Sequence, residues 1–333
     1  MLGKKHIGPM TLSSDKHSSP ANQQIGSSNN SGAPIVFDRL SVKKHRNRAA
    51  QNFGDHSFLK TRAAEDIADR IEVIPRPFKK ILDIGSHTGE VEAELRSRPS
   101  IAERLGVVIK SDLSPKFATQ SGELSVAADE EFLPFKPASF DAALSSLALH
   151  WVNDLPGALV QIRNALIPDG LFIAQLLGGR TLHELRTSLI EAETEIRGGA
   201  AMRISPFADV QDMSTLLQRA GFVMPVADTE TITVRYSNPI KLFQDLRGMG
   251  ETAASARRPN ETRQPNLTRS ILFKALEIYA NKFSDKDGKF IATFEIVTAS
   301  GWSPGPDQPK PLARGSAKVS LKDALNNVKN DDK

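Results

Sequence analysis

The chain has 333 residues, no cysteine and a formal charge of +4 at neutral pH. Without a thiol it makes no disulfide, cysteine zinc site or thiolate-held iron–sulfur cluster, and a mean hydropathy of −0.30 with no long apolar run gives no membrane-spanning helix. Residues 1–34 carry +2, 35–62 carry +5, 302–333 carry +2 and 63–301 carry −5, so the basicity is a cationic arm on an acidic body and not a face that tracks nucleic-acid phosphates.

Nineteen of residues 1–34 are Ser, Gly, Asn, Pro or Gln, which predicts a disordered tail. The stretch has no Arg and no apolar core segment, so it reads as neither a mitochondrial presequence nor a secretory signal. Residues 35–79 follow as a helical arm, with Ala64, Ile67, Ala68, Ile71 and Ile74 on one stripe that Pro75 and Pro77 stop. Residues 80–177 alternate apolar runs with helices: strands are expected at Lys80–Ile84, Val107–Ser111, Leu124–Ala128, Phe140–Ser145 and Leu171–Leu176, the last entered through a Pro168-Asp169-Gly170 turn. Such alternation predicts a doubly wound α/β sheet with its ligand site at the carboxyl ends of the strands. In residues 178–302, helices are expected at Thr181–Arg197, Val210–Ala220, Pro239–Gly248 and Leu267–Lys282, a strand near Phe222–Val234, and a half-buried final strand over 289–299. Residues 303–333, rich in proline at their start, read as a flexible tail with a short helix near Leu321–Val328.

Strand one runs into Asp83-Ile84-Gly85-Ser86-His87-Thr88-Gly89-Glu90. Gly85 and Gly89 allow a tight strand-to-helix turn that brings a ligand close to the backbone. A dinucleotide fingerprint would place glycines where His87 and Glu90 stand, and Glu90 would repel a pyrophosphate. Asp83, Gly85 and Gly89 instead resemble the first motif of S-adenosylmethionine-dependent methyltransferases, with His87 departing from its middle glycine. Asp112 and Leu113 stand just past strand two, where a carboxylate accepts from ribose hydroxyls; Asp129 and Glu130 follow strand three, where an acid accepts the adenine amino group. The candidate cofactor residues are therefore Asp83, Gly85, Ser86, His87, Gly89, Asp112, Leu113, Asp129 and Glu130. A purely structural glycine turn, a helix cap at Asp112 and a solvated acidic loop around Glu131 are the competing readings.

The run Ala128 to Asp154, with Leu166 to Gly170, is similar to the malonyl-carrier-protein methyltransferases of biotin synthesis. Phe37-Asp38-Arg39, Arg46 to Ala50, Phe58-Leu59, Thr181 to Arg186, Ser205-Pro206-Phe207 and Asp245 to Glu251 are closer to the assembly-factor-5 family of respiratory complex I, and this resemblance spans about 35–302. It implies a Rossmann-like seven-stranded sheet, mostly parallel with the last strand antiparallel, helices on both faces, and a helical insertion before the last strand. It further implies S-adenosyl-L-methionine as cofactor, a protein substrate that is a complex I subunit, and the bacterial cytoplasm or the mitochondrial matrix as location. The mitochondrial member is implied to hydroxylate an arginine, bacterial relatives to methylate; a carrier-protein O-methyltransferase and a non-catalytic assembly chaperone are the alternatives.

His150 and Trp151, just past strand four, face the expected cleft mouth, His150 as a candidate general base and Trp151 on the substrate side. Arg247 is placed on the substrate side with Glu251 near it. None of the seven histidines is followed two places later by an acid, so no metal site is expected. The basic run Lys43 to Arg48 reads as a solvated helix face or a contact to an acidic partner.

Overall fold

The structure, a computed structural model, describes residues 34–207, 209–256 and 266–309. The expected N-terminal tail, save residue 34, and the helix near Leu321–Val328 lie outside these residues.

The arm consists of α1 (Arg39–Ala49), whose first turn is capped by the Asp38 carboxylate, a 3-10 turn at Phe53–His56, and α2 (Phe58–Glu72). The predicted stripe is the buried face of α2: Ala64, Ile67, Ala68 and Ile71 all pack inward. Then come β1 (Phe78–Ile84), α3 (Glu90–Ser97), α4 (Pro99–Ala102), β2 (Leu105–Asp112), α5 (Pro115–Gln120), β3 (Ser125–Ala127), β4 (Phe140–Ser146), α6 (Leu155–Ala165) and β5 (Leu166–Leu177). The remainder is α7 (His183–Arg197), α8 (Val210–Arg219), β6 (Val223–Tyr236), α9 (Pro239–Met249), α10 (Arg269–Phe283) and β7 (Phe290–Trp302).

Among the described residues these strands form one seven-stranded sheet in the order β3-β2-β1-β4-β5-β7-β6. The pairs among β1 to β5 are parallel, and β7 runs antiparallel to both β5 and β6. The Rossmann-like expectation holds, including the helical insertion of α9 and α10 before β7. Successive residues of one strand face opposite layers: Ile81 packs with α2 and α3, while Leu82 packs with α6 and α8. A third apolar cluster joins α7, α9 and α10 to Phe294 and Ile296 of β7. The order of strands reverses between β1 and β4, and the crevice outside that switch point is the place for a ligand.

Three local expectations change. β7 is not half-buried: it lies inside the sheet, with Phe294 on one apolar layer and Val297 on another, and the alternating, half-exposed pattern belongs to the edge strand β6. The Pro168-Asp169-Gly170 turn does not precede β5 but is absorbed as an irregularity in its pairing with β4, Asp169 taking a φ of +61°. Residues 303–309, read as the start of a flexible tail, fold back: Ser303 exchanges backbone hydrogen bonds with Asp169 and Gly170 at 3.1 and 2.8 Å, and Gln308 donates to Asp169 at 2.7 Å.

Candidate functional site

β1 and β2 build the glycine loop together. The N–H groups of Gly85 and Ser86 donate to the Ser111 carbonyl at 2.8 and 3.0 Å. Gly85 turns at φ +69°, and a Cβ there would lie 2.1 Å from that of Ala148, so both backbone and space require glycine. His87, in place of the motif's middle glycine, also takes a left-handed φ of +49°. Its ring fills the side-chain space between Phe53 and Phe117, with centroids 4.9 and 4.8 Å away. Burial, reinforced by the Lys60 and Arg46 cations, holds the imidazole well below its usual pKa. The ring is therefore neutral, and Nδ1 donates to the Gly85 carbonyl at 2.8 Å.

Asp83, Asp112 and Asp129 lie at or just past the ends of β1, β2 and β3. Asp112 is fully buried and accepts from the backbone N–H of Ser114 at 2.7 Å and of His87 at 3.1 Å. The cap of α5 is the Ser114 hydroxyl, so the capping role considered for Asp112 falls to its neighbour. Asp83 is also fully buried; burial pushes its carboxyl up to about 7 although the Lys60 cation pulls the other way. Neither Asp83 oxygen, nor the hydroxyls of Ser86 and Ser146, has a hydrogen-bond partner among the described residues. Gly89 is the N-cap of α3, and Leu113 packs with Val42 and Trp151.

What the sequence reading missed is the set of cations on these acceptors. Arg46, 2% exposed, donates to Glu130 at 2.6 Å and stands 3.7 Å from Asp112. Arg39 donates to Asp129 at 2.6 Å and also to Glu130. Burial alone would raise the Glu130 carboxyl, but the two guanidinium groups outweigh it and hold the acid at about 2. Lys60, 3% exposed, donates to the carbonyls of Gly85 and Ser146 at 2.7 and 2.6 Å. Within the basic run Arg46 thus meets an acid of its own chain, whereas Lys44 is exposed. Glu131 is likewise buried and accepts from the Asn153 N–H at 2.7 Å. The signal for Lys60 was present: it sits on the stripe of α2 with Ala64, Ile67 and Ile71, where a lysine is out of place unless it has buried acceptors.

Beside this cradle lies an apolar chamber of about 330 Å³, walled by Leu182 at the N-cap of α7, Leu185 within it, Phe243 and Leu246 of α9, Ile204, Phe207 and Trp151, with Arg203 and Glu251 as its charged members. Arg203 is paired with Glu193 at 2.5 Å. Glu251 follows the left-handed C-cap Gly250 of α9, and its N–H closes back on the Leu246 carbonyl at 2.8 Å. Its Oε2 accepts from Trp151 Nε1 and from His150 Nε2, both at 3.0 Å. Glu251 also lines a small cavity of about 20 Å³ shared with Lys60 and His87, so it stands between cradle and chamber. His150 lies behind Glu251 and outside the chamber lining, with Nδ1 buried and without a partner among the described residues. Arg247 does not reach the chamber; it lines a separate open groove with Arg48 and Gln244, because it projects from the outward side of α9.

Residues 82–174 match a family model described as a methyltransferase domain. Over 293 residues, 86% of this chain and 82% of the other, the sequence is 41% identical to a Homo sapiens protein named arginine-hydroxylase NDUFAF5, mitochondrial. The chain belongs to the NDUFAF5 family. A malonyl-[acyl-carrier protein] O-methyltransferase of Halorhodospira halophila is more distant, 29% identical over 83% of this chain and 92% of its own. The YcgJ protein of Bacillus subtilis has a similar structure, with a TM-score of 0.49, 12% identity, and coverage of 72% of this chain and 98% of that one. This family member is a methyltransferase-fold enzyme. S-adenosyl-L-methionine is the cofactor of the matched domain, and the acceptors here fit it. Its ammonium, ribose hydroxyls and adenine amino group are three donors, and the cradle offers the Gly85 and Ser146 carbonyls, Asp112, and Asp129. The side-chain oxygens of Asp83, Ser86 and Ser146, at the same strand ends, are buried and without a partner among the described residues.

Proposed function

We propose that this chain modifies an arginine side chain of a protein partner, a subunit of respiratory complex I, by hydroxylation. The observation that carries the reading is Glu251: a carboxylate at the junction of the cofactor cradle with an apolar chamber. An arginine stem is apolar and its guanidinium is a planar cationic fork that pairs with a carboxylate, so such a chamber suits it end to end. Both internal contacts to Glu251 fall on Oε2, which leaves Oε1 to accept from a substrate N–H. His150 and Trp151 are positioning residues in this reading, aiming the carboxylate, while the leucine and phenylalanine walls exclude water. The relatives named arginine-hydroxylases over 86% of the chain support the same acceptor. Hydroxylation replaces a C–H bond by C–OH; with dioxygen as oxidant, the second oxygen leaves as water and an external reductant supplies two electrons.

A second reading, methyl transfer to the guanidinium, is favoured by the methyltransferase-domain match. When bound, S-adenosylmethionine supplies an electrophilic methyl group, and the acceptor nitrogen gives up a proton. No helix among the described residues is long and apolar enough to cross a membrane. Peptide mass spectrometry of complex I subunits from a deletion strain tests the proposal. Loss of one oxygen from an arginine peptide supports hydroxylation, loss of one methylene selects methyl transfer, and an unchanged spectrum contradicts both.

A further inference from the structure

The cations on the cradle come from one stretch of chain, α1 and the first turn of α2, and they occupy the acceptors in the same order as the donors of S-adenosylmethionine. The Lys60 ammonium stands on the two carbonyls that suit the cofactor's ammonium. Arg46 stands beside Asp112, the acceptor for the ribose. Arg39 stands on Asp129, the acceptor for the adenine amino group. The space follows the charges. The strand ends hold one cavity of about 190 Å³ beside Arg39 and Asp129 and another of about 20 Å³ beside Lys60 and His87. Arg46 lines neither; it reaches Asp112, Glu130 and, at 3.3 Å, the Ala148 carbonyl.

The two helices are held differently. α2 buries Leu59, Ala63, Ala64, Ile67, Ala68 and Ile71 and is fixed in the core. α1 buries only Val42 and Ala49 as apolar side chains, and the rest of its attachment is polar, such as Ser114 on Asn47 at 2.6 Å and Gln120 on the Ala50 carbonyl at 2.9 Å. A helix with little buried apolar surface is held mainly by its polar contacts, and the cost of opening its buried ion pairs is offset when another cationic ligand takes the same acids.

We propose that Arg39 and Arg46 of α1, with Lys60, form an internal occupant of the cofactor cradle that S-adenosylmethionine must displace to bind. This rests on the cofactor reading above and adds that α1 is the gate. Cofactor affinity is then reduced by the fraction of molecules in which α1 is seated.

Hydrogen–deuterium exchange on the full chain with and without S-adenosylhomocysteine, alongside calorimetry of the same samples, tests it. Bound ligand is expected to speed exchange at 39–49 and slow it at 83–89 and 111–114. Binding with 39–49 slowed or unchanged overturns the gate while leaving the cofactor reading intact; no binding overturns both. Lys60→Met gives an independent sign: removing the internal ammonium is expected to tighten cofactor binding by about tenfold. Unchanged or weaker binding overturns the proposal, weaker binding making Lys60 a holder of the cofactor.

Discussion

Trp151 Nε1 donates to Glu251 Oε2 at 3.0 Å, so the indole just past β4 fixes the carboxylate that follows α9. One contact therefore ties the cofactor half to the cap half at the point where cradle and chamber meet. Glu251→Gln keeps the size and an acceptor for the indole but removes the charge. Affinity for an arginine-containing substrate peptide is expected to fall by about 2–5 kcal/mol, read by calorimetry, with the melting temperature nearly unchanged. An equal loss for a peptide with leucine at that position would mean that the charge plays no part.

Glu130 pairs with two guanidinium groups, that of the buried Arg46 and that of the part-buried Arg39. Glu130→Ala is expected to destabilise the fold by about 3–5 kcal/mol, since the buried Arg46 guanidinium loses its hydrogen-bonded acid and keeps only Asp112 at 3.7 Å. Glu230→Ala, which breaks an exposed pair with Arg62, is expected to cost less than about 1 kcal/mol. Urea unfolding of the two variants measures the contrast.

The Asp83 carboxyl has its usual value near 3.8 when unfolded and is pushed up to about 7 when folded, burial being the main cause. Between those values the folded chain holds a proton that the unfolded chain has lost, so this group's contribution to stability falls as pH rises through that window. The slope reaches about 1.4 kcal/mol per pH unit. Asp83→Asn is neutral throughout and is expected to gain on the wild type as pH rises from 4 to 7, then to hold that gain; a pH-independent difference in thermal melts counts against the buried, protonated carboxyl.

Gly85 and Gly89 separate conformation from space. Both have positive φ, but a Cβ at 85 meets Ala148 at 2.1 Å while one at 89 has its nearest neighbour at 3.7 Å. Gly89→Ala is expected to cost about 1–2 kcal/mol, and Gly85→Ala more because Ala148 must also move. Equal melting temperatures would show that the close approach to Ala148 is relieved at no cost.

Much of the fold was legible because its signals are local. The stripe of α2, the short apolar runs of β1 to β5 and the Asp83, Asp112 and Asp129 strand ends each lie within a few residues of sequence. The pairing of Arg46 with Glu130 spans 84 residues and that of Trp151 with Glu251 spans 100, distances over which spacing carries no information. So the acids were visible and their occupants were not. Arg247 and Glu251 read as equivalent neighbours, yet one turn of chain past the left-handed Gly250 sends them to different cavities. His87 departs from the expected glycine for a reason visible only in three dimensions, the aromatic pair Phe53 and Phe117.

The most direct test of the arginine-modifying function is the peptide mass spectrum of the complex I subunits from a deletion strain carrying either the wild-type gene or Glu251→Gln. An arginine with one added oxygen is expected in the first strain and an unmodified arginine in the second. The same modification in both strains, or none in either, would contradict it.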